Sequence, residues 1–148
     1  MSRSSGGATD GVVVRLGTSR DLPAVEAIYR EWRYRGGIQP EDGLVVADDG
    51  GRVVGVVRLT REHDCTMLRG MRVQPDYQRG GIGTRMLRLF VQQLDDDCFC
   101  VPYAHLLGFY GQAGFRELPR GDAPPFLAER ARGYEAEGLE VAIMRRPG

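Results

Sequence analysis

Residues 73–84 read VQPDYQRGGIGT and form the most informative stretch of the chain. A strand-like run ends near Val73, and an apolar pattern of helical period begins at Gly81. Three glycines and an arginine therefore lie between a predicted strand and a predicted helix. Unpaired N–H groups at a helix N-terminus carry partial positive charge, and glycines let a ligand approach the backbone closely. The stretch predicts a loop that binds a phosphate or pyrophosphate group.

Two familiar phosphate-binding loops do not match this stretch. A P-loop needs a lysine after its last glycine, and the chain contains no lysine. A dinucleotide fingerprint that starts at Gly81 would end at Met86, where glycine or alanine is required. A glycine-rich turn without any ligand is the remaining structural alternative.

Charge and composition exclude several classes of protein. The 148 residues carry twenty acidic and twenty basic side chains, and every basic one is arginine. The net charge of zero gives no electrostatic indication that the chain binds nucleic acid or an anionic membrane. No apolar run approaches the roughly 18 residues of a membrane span. Three cysteines are too few for a disulfide scaffold, so we expect reduced thiols and a cytoplasmic location.

The order of predicted elements indicates one mixed α/β domain of the α+β type. Residues 1–10 are polar and rich in glycine and serine, so we expect a flexible N-terminal tail without a signal peptide, followed by a single domain over 11–148. Thr18 and Asp21 have the spacing of a capping box before the first helix, which Gly36–Gly37 would stop. β-rich runs bounded by turn signals predict strands at 12–16, 44–47, 52–59, 65–74, 98–101, 115–118 and 139–144. The further predicted helices are 81–94, 105–113 and 126–137.

Two segments carry a resemblance to a known family. Gln78-x-x-Gly81-x-Gly83, after Val73-Gln74-Pro75, resembles the acetyl-CoA loop of the GNAT acetyltransferase superfamily. The segment FYGQAGF at 109–115 is similar to the family's Tyr-x-x-x-Gly-Phe segment, and the resemblance covers most of 12–118. It implies a GNAT-like mixed, mostly antiparallel central sheet flanked by helices, and an N-acetyltransferase that uses acetyl-CoA as co-substrate and no metal.

The resemblance also implies which residues bind the cofactor. In the family the loop amides hold the pyrophosphate, and the end of the preceding strand pairs with the pantetheine arm. A backbone N–H in this strand end, 71–73, would bind the thioester oxygen. The residues that correspond here are Met71, Arg72, Val73, Gln78, Arg79, Gly80, Gly81, Ile82, Gly83 and Thr84.

Two residues are candidates for catalysis. Tyr110 matches the tyrosine that many family members place beside the CoA sulfur. The alternative for Tyr110 is a residue of an amphipathic helix packed under the sheet. His105 has the side chain whose ordinary pKa lies nearest to neutrality, and we consider it as the base or as an acceptor contact. The alternative for His105 is a structural, hydrogen-bonded histidine.

Other side chains are weaker candidates. Glu31 is a carboxylate alternative for the base. Arg58 and Arg69 share strand faces with apolar residues, so either is a candidate ligand for an acceptor carboxylate or a salt-bridged arginine. The spacing of the cysteines disfavours a zinc site, and small buried strand residues account for the cysteines better than a nucleophilic Cys100–His105 pair does. His63 is expected to be exposed.

The function predicted from the sequence is direct acetyl transfer to a primary amine, most simply that of a small molecule. The alternatives are a non-catalytic acyl-CoA sensor and a transferase for proteins or peptides. Residues 119–138 depart from the family pattern, and we expect them to cover the acceptor cleft or to pack on a second subunit of a homodimer.

Overall fold

A computed structural model describes residues 11–34 and 36–148, so the predicted tail lies outside the described residues. The strands found there are β1 (Val12–Leu16), β2 (Gly43–Asp49), β3 (Arg52–Glu62), β4 (Cys65–Val73), β5 (Cys98–Cys100), β6 (Arg116–Glu117) and β7 (Met144–Arg146). The α-helices are α1 (Leu22–Trp32), α2 (Ile82–Gln92), α3 (Leu107–Gly111) and α4 (Pro125–Ala136). Two compact units are described separately below.

The first unit comprises residues up to 60 together with Leu68–Gln93, and its strand order is β1-β2-β3-β4. Strands β1 and β2 are antiparallel, as are β2 and β3, so the predicted hairpin is confirmed. Gly50 and Gly51 form its turn with φ of 59° and 100°, conformations that suit glycine and favour hairpins. The amide N–H of Gln74, just beyond β4, donates to the carbonyl of Val54 at 2.9 Å.

Helix α1 covers one face of this sheet. The predicted capping box is present at a 3-10 turn that leads into the helix. The Thr18 side chain accepts a hydrogen bond from the backbone at the Asp21 end of the turn, and the Asp21 carboxylate accepts one from the backbone N–H of Thr18. The buried side chains of the helix and sheet form one apolar cluster: Val25, Ile28, Tyr29, Leu44, Val46 and Val56. The predicted end of the helix was wrong: it stops at Trp32 because Arg33 adopts a left-handed φ of 61°, before Gly36–Gly37 is reached.

The second unit comprises Arg61–Met67 and Leu94–Gly148. Here the start of β4 is parallel to β5, which pairs antiparallel with β7, and β7 pairs antiparallel with β6. The core consists of Met67, Leu127, Ala131 and Ile143. Leu127 and Ala131 of helix α4 belong to this core, and the partly buried Phe126 packs against it. The expected cover over the acceptor cleft, or contact with a second subunit, stays a prediction.

The last strand lies further along the chain than predicted. The expected strand over 139–144 is observed as β7 at Met144–Arg146, and Val141 makes only an isolated bridge with Tyr103. The two arginines of β7 hold the strand in place: Arg145 Nε donates to Asp97 at 2.9 Å, and Arg146 Nε to the Ala113 carbonyl at 2.8 Å. The helix predicted over 105–113 is a 3-10 turn followed by the short helix α3.

Seven strands, mostly antiparallel, and four α-helices in the described residues confirm the predicted mixed α/β fold. None of these helices is long and apolar enough to cross a membrane.

Candidate active site

The glycine loop has the backbone geometry that its sequence predicted. Pro75–Tyr77 form a 3-10 turn, after which Arg79 and Gly81 adopt positive φ of 73° and 81°. Helix α2 then begins at Ile82, and no side chain of the described residues caps it. A methyl group at Gly81 would have no atom within 4 Å, so the backbone there is open to approach. This arrangement suits an anionic group at the start of the helix.

The loop is fastened to its surroundings at both ends. Gln78 Nε2 donates to the Val73 carbonyl at 2.8 Å, and the Tyr77 hydroxyl donates to the Asp49 carboxylate. This hydrogen bond raises the pKa of Tyr77, so that the phenol stays a donor. On α2, Arg85 donates to the Val12 carbonyl at 2.7 Å. The loop is therefore a preformed turn.

The predicted cofactor residues differ in what they expose. Gln78, Arg79, Gly80 and Gly81 are exposed, whereas Gly83, Thr84 and the strand residues 71–73 are half-buried. Ile82 is only 1% exposed because its side chain belongs to the core. It can therefore contribute its backbone N–H but not its side chain.

Strand β4 contains a glycine in the left-handed conformation, Gly70, three residues before its end. Gly70 has a φ of 60°, and its carbonyl accepts a hydrogen bond of 2.8 Å from the buried Tyr29 hydroxyl. Burial raises the pKa of Tyr29, so this phenol remains protonated as a donor. A left-handed residue inside a strand breaks the regular ladder and re-aims the residues that follow. The residues that follow Gly70 are those at 71–73, the segment predicted to bind the thioester.

Two roles were considered for Arg58, a ligand for an acceptor carboxylate and a salt-bridged arginine, and its contacts are those of a salt-bridged arginine. Its guanidinium donates to the Asp42 carboxylate at 2.7 Å and to the Gly37 carbonyl at 2.9 Å. The two side chains are 2% and 3% exposed, so the ion pair is fully buried. The guanidinium also lies over the rings of Tyr29 and Tyr34, 5.5 and 5.9 Å from their centroids. Arg58 therefore holds the loop after α1 rather than facing a ligand.

Sequence reasoning missed an aromatic group beside β4. Trp32 and Tyr34 are stacked, with centroids 5.0 Å apart and planes 9° apart. Arg69 Nε donates to the Tyr34 hydroxyl at 3.2 Å, and the Arg72 guanidinium lies 5.2 Å from the centre of the Trp32 ring. The available signal was the Trp-x-Tyr pair before the glycines, but its contact with β4 joins residues some forty positions apart.

Glu31, the carboxylate alternative for the base, lies exposed on α1. Its Oε1 accepts a hydrogen bond of 3.0 Å from the Gln74 side chain, at the end of β4. The structure thus brings Glu31 to the same strand end as residues 71–73.

In the second unit, Tyr110 and His105 have contrasting environments. Tyr110 is 5% exposed and packs edge-on against Phe109 and Phe115, at centroid distances of 4.9 and 6.0 Å. His105 is exposed, and its ring stacks on that of Tyr103 at 5.8 Å with planes 9° apart. Their catalytic roles stay predictions.

The remaining candidates have structural environments. Cys98 and Cys100 are buried, and burial raises the pKa of the Cys100 thiol, which disfavours a nucleophilic thiolate. Within 11–34 and 36–148, no group of three or more His, Cys, Asp or Glu side chains is placed to hold a metal ion. His63 is exposed, as predicted, and its ring contacts that of Phe126 at 4.3 Å.

Comparison with known families decides the relationship. The family model of the GNAT acetyltransferases matches residues 16–115, about two thirds of the chain. This chain belongs to the GNAT acetyltransferase family. No curated protein sequence matches this GNAT chain significantly.

Solved structures share the GNAT fold at low identity. N-acetylglutamate synthase from Neisseria gonorrhoeae, complexed with coenzyme A and N-acetyl-glutamate, is 20% identical with a TM-score of 0.65, over 92% of this chain and 35% of that chain. This chain therefore spans about a third of the synthase's length. The ribosomal-protein-S18-alanine N-acetyltransferase from Escherichia coli is 18% identical with a TM-score of 0.66, over 92% and 93% of the two chains. A GNAT-family acetyltransferase from Staphylococcus aureus is 16% identical with a TM-score of 0.60, over 92% and 98%.

Proposed function

We propose that this GNAT chain is an acetyl-CoA-dependent N-acetyltransferase that transfers the acetyl group directly to the primary amine of a small molecule. The observation that carries the proposal is the exposed loop 78–81 at the start of α2. Positive φ at Arg79 and Gly81 turns the chain there, and no side chain of the described residues caps the helix. A pyrophosphate is the kind of group that such a helix start binds.

The residues of this loop are compatible with acetyl-CoA. The space beside Gly81 is open, and Arg79 is an exposed cation on the same turn. The family relationship supports the same co-substrate, since the gonococcal synthase was crystallised with coenzyme A. In the proposed site, residues 78–84 hold the pyrophosphate through backbone amides, and Met71, Arg72 and Val73 offer backbone groups to the pantetheine and thioester.

The reaction makes three demands on the chain. The amine nitrogen attacks the thioester carbon, the N–C bond forms, the C–S bond breaks, and a proton leaves the nitrogen. A backbone N–H of residues 71–73, re-aimed by Gly70, stabilises the charge that develops on the carbonyl oxygen. His105 is the proposed proton acceptor from the amine, with Glu31 as the carboxylate alternative.

Tyr110 is the proposed partner of the departing thiolate. A phenol has an ordinary pKa near 10 and a thiol one near 8.5, so full proton transfer is uphill by about 2 kcal/mol. We therefore assign Tyr110 a hydrogen bond that strengthens as the sulfur becomes negative. Its 5% exposure means that the hydroxyl would act in a site with little water.

A small acceptor is favoured by charge. The chain has a net charge of zero, so it has no overall electrostatic attraction for a basic peptide. The structural relatives include one enzyme named for a small molecule and one named for a ribosomal protein, so they do not distinguish the two classes.

The test is a free-thiol assay with acetyl-CoA and a panel of amines, with acetylated products identified by mass spectrometry. We expect CoA release that depends on the amine, and a fall of about 100-fold in kcat for His105→Ala. Tyr110→Phe should lower kcat by about tenfold or more. The matched controls are His63→Ala and Tyr134→Phe, which should keep the parent's rate.

Other results would assign a different function. Binding of acetyl-CoA without thiol release from any amine or protein would indicate an acyl-CoA sensor. Acetylation of polypeptides in a lysate, with no turnover of small amines, would indicate a protein transferase. Full activity in either Tyr110→Phe or His105→Ala would remove that residue from the mechanism.

A further inference from the structure

Three arginines lie together on the α1 side of β3 and β4. They are Arg58, Arg69 and Arg72, and the aromatic rings of Tyr29, Trp32 and Tyr34 surround them. Arg58 forms a buried ion pair with Asp42, and Arg69 donates a hydrogen bond to the Tyr34 hydroxyl.

Arg72 is the arginine that lacks an anionic partner. Its Nε is buried, yet it has no hydrogen-bond acceptor in the part of the chain that the structure describes. None of the ion pairs found between the described side chains includes Arg72. The side chain as a whole is half-buried, and its two terminal nitrogens are not among the buried unpaired atoms of the described residues, so these are the N–H groups that a ligand can reach.

The neighbouring aromatic side chains hold this guanidinium in a defined position. The Arg72 guanidinium lies over the face of the Trp32 ring, 5.2 Å from its centre, and the ring of Tyr34 is stacked on Trp32 with planes 9° apart. Stacking on an aromatic face leaves the in-plane N–H groups of an arginine available for a planar oxyanion. Arg69 donates to the Tyr34 oxygen, which leaves the proton of that hydroxyl available as a further donor.

We propose that Arg72 binds a carboxylate of the acceptor, so that the substrate is an amino acid or a short amino carboxylic acid. This inference rests on the proposed transferase function and specifies its substrate. Arg72 lies in the segment 71–73 whose backbone is proposed to bind the thioester oxygen. Its side chain therefore places the carboxylate within one arginine's length of the reacting carbon, close to the amine. The guanidinium and the carboxylate form a bidentate pair, and Trp32 and Tyr34 keep it from water.

The first test compares amino acids with the amines that their decarboxylation would give. We expect the parent to favour the carboxylated member of at least one pair by about tenfold or more in kcat/KM. Arg72→Gln should lower kcat/KM for that amino acid by a similar factor, mainly through KM, and change the rate with the decarboxylated amine much less. Arg72→Lys, which keeps the charge but loses the planar fork, should recover only part of the loss. Arg88→Gln, an exposed arginine of α2, is the matched control and should behave like the parent.

A second test reads binding without turnover. Trp32 is the only tryptophan of the chain, so its fluorescence reports on the Arg72 contact directly. Titration of the preferred amino acid should give a saturable change in the parent and in Arg88→Gln, and none in Arg72→Gln. Titration of the decarboxylated amine should give a much weaker change.

The outcomes separate this inference from the transferase function. If amines are acetylated with no preference for a carboxylate, Arg72 does not bind the acceptor carboxylate and the transferase function stands. The same conclusion follows if Arg72→Gln lowers kcat/KM equally for both members of a pair. If no amine releases CoA but the fluorescence titration saturates only with carboxylates, the transferase function fails and carboxylate binding by Arg72 stands. A flat fluorescence titration together with no carboxylate preference overturns the proposal.

Discussion

Replacing Gly70 with alanine should destabilise the protein far more than an ordinary substitution in a strand. Gly70 has a φ of 60°, where an alanine costs about 1–2 kcal/mol. Its added Cβ would lie 2.4 Å from the Tyr29 hydroxyl oxygen and 2.8 Å from the ring carbon that bears it, so this ring must move. Tyr29 is 4% exposed, and displacing a packed side chain costs about 1–3 kcal/mol.

The same displacement breaks the hydrogen bond from Tyr29 to the Gly70 carbonyl, which contributes about 1 kcal/mol. We therefore expect Gly70→Ala to lower the free energy of unfolding by about 3–6 kcal/mol. Because residues 71–73 follow directly, kcat should fall as well, with a smaller change in the affinity for acetyl-CoA.

Gly50→Ala provides the matched control. Gly50 has nearly the same φ, 59°, but a Cβ there would meet nothing within 4 Å, so only the backbone strain of about 1–2 kcal/mol applies. Urea unfolding of both variants, followed by circular dichroism, measures the difference. Equal destabilisation of Gly70→Ala and Gly50→Ala would refute the reasoning, because it would mean that Tyr29 does not constrain this point of β4.

Two further predictions concern ion pairs in the first unit. Asp42→Ala should cost about 3–5 kcal/mol because it leaves the buried Arg58 charge without its partner. Glu135→Ala, in an exposed ion pair of α4, should have little effect, and equal losses by urea unfolding would contradict this. The Arg15 guanidinium holds the pKa of Asp21 below its ordinary value of 3.8, so the carboxylate stabilises the fold above that pH and the contribution disappears as pH falls through the lower, folded-state pKa. Unfolding measured from pH 7 downward should therefore show a shallower decline for Asp21→Asn than for the parent, and parallel curves would disprove the linkage.

Local signals in the sequence predicted most of the first unit correctly. The capping box at Thr18 and Asp21, the hairpin turn at Gly50–Gly51 and the turn before α2 each depend on residues within a few positions of one another. Such short-range chemistry is visible without any knowledge of the fold. The glycine loop was predictable for the same reason, and it led to the family.

The elements that were missed depend on contacts between distant residues. The position of the strand at Met144–Arg146 is determined by its pairing with Cys98–Cys100. The sequence prediction placed the strand at 139–144 because that stretch is more apolar. Helix α1 ends at Trp32 because Arg33 takes a conformation that arginine seldom adopts, whereas the glycines downstream gave the stronger signal in the sequence.

In the candidate site, too, local patterns were predictable and contacts between distant residues were not. Period-two alternation placed Arg58 among apolar residues, but its partner Asp42 lies in a loop with no pattern of its own. The contact between Arg72 and Trp32 could not be predicted from the sequence, because stacking between a helix end and a strand produces no pattern in either segment alone.

The most direct test of the central claim is a calorimetric titration of acetyl-CoA into the parent, Gly81→Ala and Gly50→Ala. Gly81 has a φ of 81° and open space beside it, so a methyl group there would meet the proposed pyrophosphate rather than the protein. We predict one binding site in the parent, affinity at least tenfold weaker in Gly81→Ala, and unchanged affinity in Gly50→Ala. Absence of binding to the parent, or equal affinity in all three proteins, would contradict the assignment of this loop as the acetyl-CoA site.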